Sequence, residues 1–143
     1  TPKGAILAAV ETVTAAIPST LDAAALCKMA DRGQITGGLR DGPVACDNAV
    51  SPDAVQIKGS VSEVAGQADI LAVPDLESGN MIAKQLEYLA GASGSGLVLG
   101  ARVPIALTSR ADGPMARVAS TVLAVLAAHD NRRKNQANAW KQG

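Results

Sequence analysis

Aromatic residues are almost absent from this sequence, which has one tyrosine, one tryptophan and no phenylalanine among its 143 residues. A hydrophobic core must therefore be built from alanine, valine, leucine and isoleucine, and hydrophobic residues make up 48% of the chain. Small and branched side chains of this kind suit helices that pack closely on a parallel sheet. At this length the chain is large enough to form one folded domain.

Cysteine and histidine are also scarce. Cys27 and Cys46 lie in unrelated sequence contexts, and His129 is the only histidine. Such a set gives neither a disulfide framework nor the ligand spacing of a zinc centre, so we expect no metal site. We expect both cysteines to be buried thiols, which is typical of a protein in a reducing compartment.

Long hydrophobic runs and an excess of one charge are absent as well. No apolar run approaches the roughly twenty residues that span a bilayer, and the first residues do not have the pattern of a secretory signal. Thirteen basic and thirteen acidic side chains cancel, so no overall field attracts nucleic acids or anionic membranes. We therefore expect a cytoplasmic protein that binds neither nucleic acids nor membranes.

Short apolar runs alternate with helical patterns along the chain. The runs at residues 70–73, 97–99 and 103–107 predict strands, and the first and last of these are expected to be buried. The run at residues 5–10 fits either a strand or a helix. Residues 35–46 mix glycine and proline with apolar residues, which favours an irregular extended segment whose backbone comes close to a neighbour.

The first two helices are indicated by their end signals. We expect Ser19 or Thr20 to cap a helix that ends at Gly33. Serine, proline and aspartate at residues 51–53 predict a second, short helix that ends near Gly59. The expected apolar face of the first helix consists of Leu21, Ala25 and Met29.

The last two helices have clear apolar spacing. One ends at Gly91, and the other begins at Pro114 after a cap at Asp112 or Gly113. Their expected apolar faces are Ile82, Leu86 and Leu89 in the earlier helix and Met115, Val118, Val122, Val125 and Leu126 in the later one. This alternation predicts a three-layer α/β domain with a largely parallel sheet and flanking helices over residues 1–130, followed by a polar C-terminal tail at residues 131–143.

Ser109 and Arg110 follow the apolar run at residues 103–107, where ligands gather in open α/β sheets. Arginine fits phosphate with a planar, charged fork, and a nearby hydroxyl can stabilise a reacting group. The structural alternative is a serine that begins a turn and an exposed arginine paired with Asp112, and spacing alone favours it.

The segment PDLESGN, residues 74–80, is a second candidate for ligand binding. Gly79 lets a backbone approach a ligand, and Asp75, Asn80 and Lys84 add polar and charged groups nearby. The alternative is an Asx turn that caps a helix and binds nothing.

Three motifs make the chain similar to a known family. PDLESGN, VLGARVPIALTSR at residues 98–110 and DRGQITGGLRDGPVACDNAVS at residues 31–51 closely resemble the phosphate acetyl/butyryltransferases, or phosphotransacylases. The resemblance runs from about residue 21 to about residue 128. It favours a strand at residues 5–10 and identifies residues 1–130 as the C-terminal α/β domain of such an enzyme, with the architecture of isocitrate and isopropylmalate dehydrogenases.

The resemblance also implies a reaction and a site. In this family the thiol of coenzyme A attacks the carbonyl of an acyl phosphate, and no metal or prosthetic group is required. It implies Ser109 and Arg110 as catalytic residues in the coenzyme A cleft, and a homodimer. Asp75, Gly79, Asn80 and Lys84 are the candidates for substrate binding on the ground of their position between a strand end and a helix. Acetyl-transferring relatives have an aspartate where this chain has Ala116, and butyryl-type relatives lack it, which leaves both the acyl preference and the base unassigned. Asp112 is a candidate substitute base, but an aspartate just before Gly-Pro at a helix start favours a cap.

The family enzymes are substantially longer than this chain and have two domains with the cleft between them. A second interpretation is therefore a dimerising, non-catalytic fragment that contributes half of the cleft. A third is a dehydrogenase of related architecture, which the absence of clustered metal-binding aspartates and of a nicotinamide-binding fingerprint disfavours.

Overall fold

The computed structural model describes residues 1–139 and contains two compact units, Thr1–Ile82 and Ala83–Gly143. The first unit contains β1 (Lys3–Leu7), α1 (Pro18–Asp31), β2 (Leu39–Val44), α2 (Cys46–Val50), α3 (Pro52–Lys58) and β3 (Ile70–Ala72). Helix α4 (Leu76–Leu89) begins in the first unit and ends in the second, which also contains β4 (Gly96–Val98), β5 (Ile105–Leu107) and α5 (Pro114–Ala139).

A parallel three-stranded sheet in the order β2-β1-β3 organises the first unit. Helix α1 packs against β2, and α2 packs against β1. The core consists of side chains that are at most 4% exposed, namely Ala5, Leu7, Val44, Ala49 and Val64. The predicted α/β class, with a mostly parallel sheet and flanking helices, is confirmed.

Strand β2 lies where an irregular segment was expected, and it is a six-residue strand at the edge of the sheet. Its register against β1 shifts between Ala5 and Leu7. The expected close backbone approach occurs at Gly42, where an added Cβ would lie 2.7 Å from Ile6 Cβ. Glycine therefore allows a paired strand here rather than preventing one.

Helix α1 begins earlier than predicted, and the face that it packs against the sheet is not the predicted one. It starts at Pro18, which suits the first helical position, and no side chain caps it. Thr20 is fully buried, and its hydroxyl donates to main-chain oxygens of the preceding residues instead. The predicted apolar face is exposed because the helix turns small residues, with Ala23 fully buried, towards the sheet.

Helix α3 matches its prediction in detail. The Ser51 hydroxyl accepts a hydrogen bond from the Ala54 amide at 3.3 Å, and Gly59 ends the helix with a positive φ of 63°. The preceding short helix α2 was not predicted. Both cysteines are free. The prediction that they are buried is wrong for Cys46, which is exposed at the start of α2, and Cys27 is only partly buried.

An antiparallel pair, β4 and β5, packs against α5 in the second unit. The fully buried Ser120 joins these elements, because its hydroxyl accepts from the Gly96 amide at 3.0 Å and donates to the Ala116 carbonyl at 2.8 Å. The expectation that residues 103–107 form a buried strand is wrong, since all of β5 is exposed. In β3 only Leu71 is partly buried, so that strand is also more exposed than expected.

The predicted apolar stripe of the last helix is present on α5 but is largely exposed. Exposure of its side chains ranges from 51% to 78% for Met115, Val118, Val122, Val125 and Leu126. Helix α5 continues through Ala139, so the first part of the predicted polar tail is helical, and residues 140–143 lie outside the described residues. Among residues 1–139, no helix is long and apolar enough to cross a membrane.

Candidate active site

A tight turn follows β5 and leads into α5. The Ser109 amide donates to Asp112 Oδ2 at 2.7 Å, and the Asp112 amide donates back to the Ser109 carbonyl at 3.1 Å. The Ser109 hydroxyl oxygen accepts from the Ala111 amide at 3.4 Å, which leaves the hydroxyl hydrogen able to donate elsewhere. Ser109 therefore begins a turn, as the structural alternative expected, and its hydroxyl hydrogen can still be donated to a ligand.

Arg110 is exposed at the tip of this turn. The ion pairs in the described part of the chain do not include Arg110, so the pairing with Asp112 that the structural alternative expected is not present. A neighbouring arginine stabilises the turn instead: Arg117 donates to the carbonyls of Asp112 at 3.2 Å and Arg110 at 3.4 Å. The guanidinium of Arg110 is thus available to an anion.

A cavity of about 350 Å³ lies beside the turn, within the second unit. It is open to solvent and is bordered by the end of α4, the loop at residues 92–95 and the start of α5. Most of its lining side chains are small, and the complete set is Glu87, Tyr88, Ala92, Ser93, Gly94, Ser95, Ala111, Asp112, Gly113, Met115, Ala116 and Ala119. Ser109 and Arg110 do not line this cavity, but Asp112 both lines it and accepts the Ser109 amide.

Lys84 lies on α4 close to this cavity. Its ammonium contacts Glu87 Oε2 at 2.6 Å and lies 5.7 Å from the centre of the Tyr88 ring. The hydrogen bond to Glu87 raises the pKa of Lys84, and the negative charge of Asp112 adds to this effect. Lys84 therefore remains protonated, but Glu87 already neutralises its charge.

The other three predicted binding residues lie in the first unit and have mainly local contacts. Asp75 accepts hydrogen bonds from the amide of Ser78 at 2.7 Å and from its hydroxyl, as in a helix cap. Gly79 lies in α4, and an added Cβ there would be 2.9 Å from Val73 Cγ2, so this glycine allows close packing. Asn80 is exposed. Their proposed role in substrate binding stays a prediction.

Arg117, Glu87 and the wall formed by residues 92–95 were not predicted from the sequence. The run of small residues between Gly91 and Gly96 was the only signal for this wall, and it does not match a known phosphate-binding motif. Among residues 1–139, no group of three histidine, cysteine, aspartate or glutamate side chains is placed to hold a metal ion.

Asp75 gives a test of the electrostatics at the start of α4. Hydrogen bonds from the Ser78 hydroxyl and amide lower the pKa of Asp75 in the folded state, whereas an unfolded aspartate has a pKa of about 3.9. The unfolded state therefore binds more protons in this range, so stability rises with pH and this contribution is lost as the pH falls through the folded pKa. We expect Asp75→Asn to flatten the loss of thermal stability below about pH 4, measured by circular dichroism melts.

Ser78→Ala is the matched variant, because it removes the hydroxyl donor and keeps the Asp75 carboxylate. It should raise the pKa of Asp75 and reduce the same pH dependence by a smaller amount. An unchanged acid profile in both variants would contradict the assigned hydrogen bonds.

Comparisons with known proteins define the class to which this chain belongs. The family model described as phosphate acetyl/butaryl transferase matches residues 1–125. The chain therefore belongs to this family of phosphate acyltransferases, and the resemblance drawn from its motifs is confirmed.

Individual relatives agree with this assignment. The chain is similar to a phosphate acetyltransferase from Rhizobium meliloti, with 63% identity over 92% of this chain and 42% of that protein. It is 47% identical to a phosphate butyryltransferase from Clostridium acetobutylicum over 89% of this chain and 42% of that protein. A branched-chain phosphotransacylase from Enterococcus faecalis matches with a TM-score of 0.75 and 33% identity, over 87% of this chain and 44% of that structure. The chain thus spans about two fifths of the length of these relatives.

Proposed function

We propose that this chain is part of a phosphate acyltransferase that moves an acetyl or butyryl group between an acyl phosphate and coenzyme A. The main support is the turn after β5, where the exposed guanidinium of Arg110 lies next in sequence to the Ser109 hydroxyl. Both residues fall inside the segment that matches the family. The reaction needs no metal or prosthetic group, and coenzyme A is a substrate rather than a cofactor.

The reaction determines what each residue has to do. The sulfur of coenzyme A forms a bond to the acyl carbon, the carbon–oxygen bond to phosphate breaks, and inorganic phosphate leaves with the electron pair. Arg110 binds the phosphate of the acyl donor or of coenzyme A, for which a planar, permanently charged group is suited. Ser109 donates its hydroxyl hydrogen to the oxygen on which negative charge develops.

Further features of the whole protein are part of this proposal. The protein is a cytoplasmic homodimer whose second domain completes the cleft, and its C-terminal domain has the architecture of isocitrate and isopropylmalate dehydrogenases. The exposed apolar stripe on α5 supports an interface on this helix. Light scattering on the purified chain tests the dimer, and a monomer at all concentrations would contradict it.

One observation favours a second interpretation, in which the chain alone is a non-catalytic fragment that holds half of the cleft. The chain covers only 42% of the Rhizobium meliloti relative. To separate the two, the purified chain is compared with a graft in which residues 1–125 replace the matching segment of that relative. The measurement is coenzyme A-dependent consumption of acetyl phosphate and butyryl phosphate.

We expect the graft to consume at least one of the two acyl phosphates, because the transferred segment carries the site residues. Family-like turnover by the chain alone would rule out the fragment interpretation. A folded graft that consumes neither substrate would contradict the proposed function.

A further inference from the structure

We propose that the Asp112 carboxylate is the general base that accepts the proton of the coenzyme A thiol. This inference rests on the proposed function and adds a residue to it. A thiolate is the competent nucleophile, whereas a free thiol has a pKa of about 8.5, so a nearby base is needed at neutral pH.

Asp112 is one of two acidic residues that line the 350 Å³ cavity, and the other is Glu87. Glu87 is engaged by the Lys84 ammonium at 2.6 Å. One oxygen of Asp112, Oδ2, accepts the Ser109 amide at 2.7 Å. Within the described residues, the other oxygen, Oδ1, accepts no hydrogen bond, so it is free to receive a proton.

The hydrogen bond also argues against the view that Asp112 is only a helix cap. A capping carboxylate accepts from amides of the first helical turn, which follow it in sequence. The carboxylate of Asp112 instead accepts from Ser109, three residues earlier. This contact with the main-chain amide holds the carboxylate beside Ser109, the residue proposed to stabilise the reacting oxygen.

The charged neighbours keep the local balance close to neutral. From α4, Lys84 and Glu87 form an ion pair near the cavity, and the Tyr88 ring lies beside them. From α5, Arg117 binds the main-chain carbonyl of Asp112 rather than its carboxylate. In the described part of the chain, the Asp112 carboxylate therefore forms no direct ion pair.

The proposed step balances. The sulfur–hydrogen bond of coenzyme A breaks, its proton moves to Asp112 Oδ1, and the sulfur electron pair forms the bond to the acyl carbon. The carbon–oxygen bond to phosphate then breaks, and the carboxylic acid returns its proton to the departing phosphate or to water. No oxidant, reductant or metal is needed.

The test introduces Asp112→Asn into the protein that shows acyltransferase activity, which is either this chain alone or the graft described above. Asparagine keeps an oxygen that can accept the Ser109 amide, so the turn should be preserved, but it cannot take a proton. We expect kcat to fall by about 100-fold or more with little change in KM.

A second variant provides a rescue that a purely structural role would not give. Ala116 lines the same cavity, so Asp112→Asn combined with Ala116→Asp returns a carboxylate to the cavity wall. We expect the kcat of this double variant to be at least ten-fold higher than that of Asp112→Asn alone. Glu63→Gln, which removes an exposed carboxylate from the first unit, is the control.

Full activity of a folded Asp112→Asn variant would overturn the inference while leaving the proposed function intact. Absence of turnover in the unmutated graft would contradict the proposed function itself. An Asp112→Asn loss that Ala116→Asp does not rescue would assign Asp112 a structural role and also overturn the inference.

Discussion

Replacing Arg110 with alanine should weaken the binding of coenzyme A or inorganic phosphate by about 1.5–3 kcal/mol, which is about 10- to 150-fold in Kd. The reason is that the exposed guanidinium has no ion-pair partner in the described residues and stands at the tip of the turn after β5. Its charge-assisted hydrogen bonds would be made with the ligand alone. Titration calorimetry with coenzyme A and with phosphate measures the change.

Arg102→Ala is the matched control, since Arg102 is an exposed arginine of the same unit outside the turn. It removes the same charge, so any effect of net charge alone should be equal in the two variants. Equal affinities in Arg110→Ala and the unmutated protein would show that Arg110 does not bind the ligand. Arg110→Lys should recover only part of the affinity, because lysine cannot bind phosphate with a planar fork.

Gly42→Ala is expected to destabilise the first unit by about 1–3 kcal/mol or more. A Cβ at this position would lie 2.7 Å from Ile6 Cβ and 2.8 Å from the Ile6 carbonyl oxygen, with Ala23 Cβ 3.3 Å away on the other side. Two of these contacts belong to strand β1 and the third to helix α1, and neither element can move away without loss of packing. Urea unfolding followed by circular dichroism measures the effect.

Gly4→Ala tests whether the effect belongs to the contact rather than to any loss of glycine from the sheet. A Cβ at Gly4 would meet its nearest neighbours, Leu39 O and Arg40 Cγ, at 3.7 and 3.8 Å, which is ordinary contact. This variant should be neutral or slightly stabilised, because alanine has less conformational freedom than glycine in the unfolded chain. Similar losses in both variants would contradict the proposed close packing at Gly42.

The elements that sequence predicted well are those set by local signals. Helix α3 follows from Ser51 and Pro52 at its start and Gly59 at its end, because capping groups act over only a few residues. The same is true of the turn at Ser109, where a serine after a short apolar run begins a reversal of the chain.

The predictions that failed concern which face of an element is covered. The leucine and methionine face of α1 is exposed because alanine residues allow a closer approach to β2 than larger side chains would. Strand β5 is apolar but exposed, and apolar content alone gives no information on what lies over a strand. Such faces depend on contacts between distant segments, and a short window of sequence does not contain them.

The candidate site shows the same limit. Ser109 and Arg110 could be selected because they follow an apolar run, but the link from Ser109 to Asp112 and the contacts of Arg117 depend on how the turn folds. The cavity is formed by small residues from segments about twenty residues apart, which no motif marks.

The uncovered apolar side chains of α5 have a thermodynamic consequence. A molecule or polypeptide segment that covers Val118, Val122 and Val125 only when they share one face of the folded helix would bind the native state in preference to the unfolded chain. By mass action such a ligand adds about 2.7 kcal/mol to the free energy of unfolding when its concentration is about 100 times its dissociation constant. The melting temperature of this protein is then not a fixed property, but a function of how much of that ligand is present.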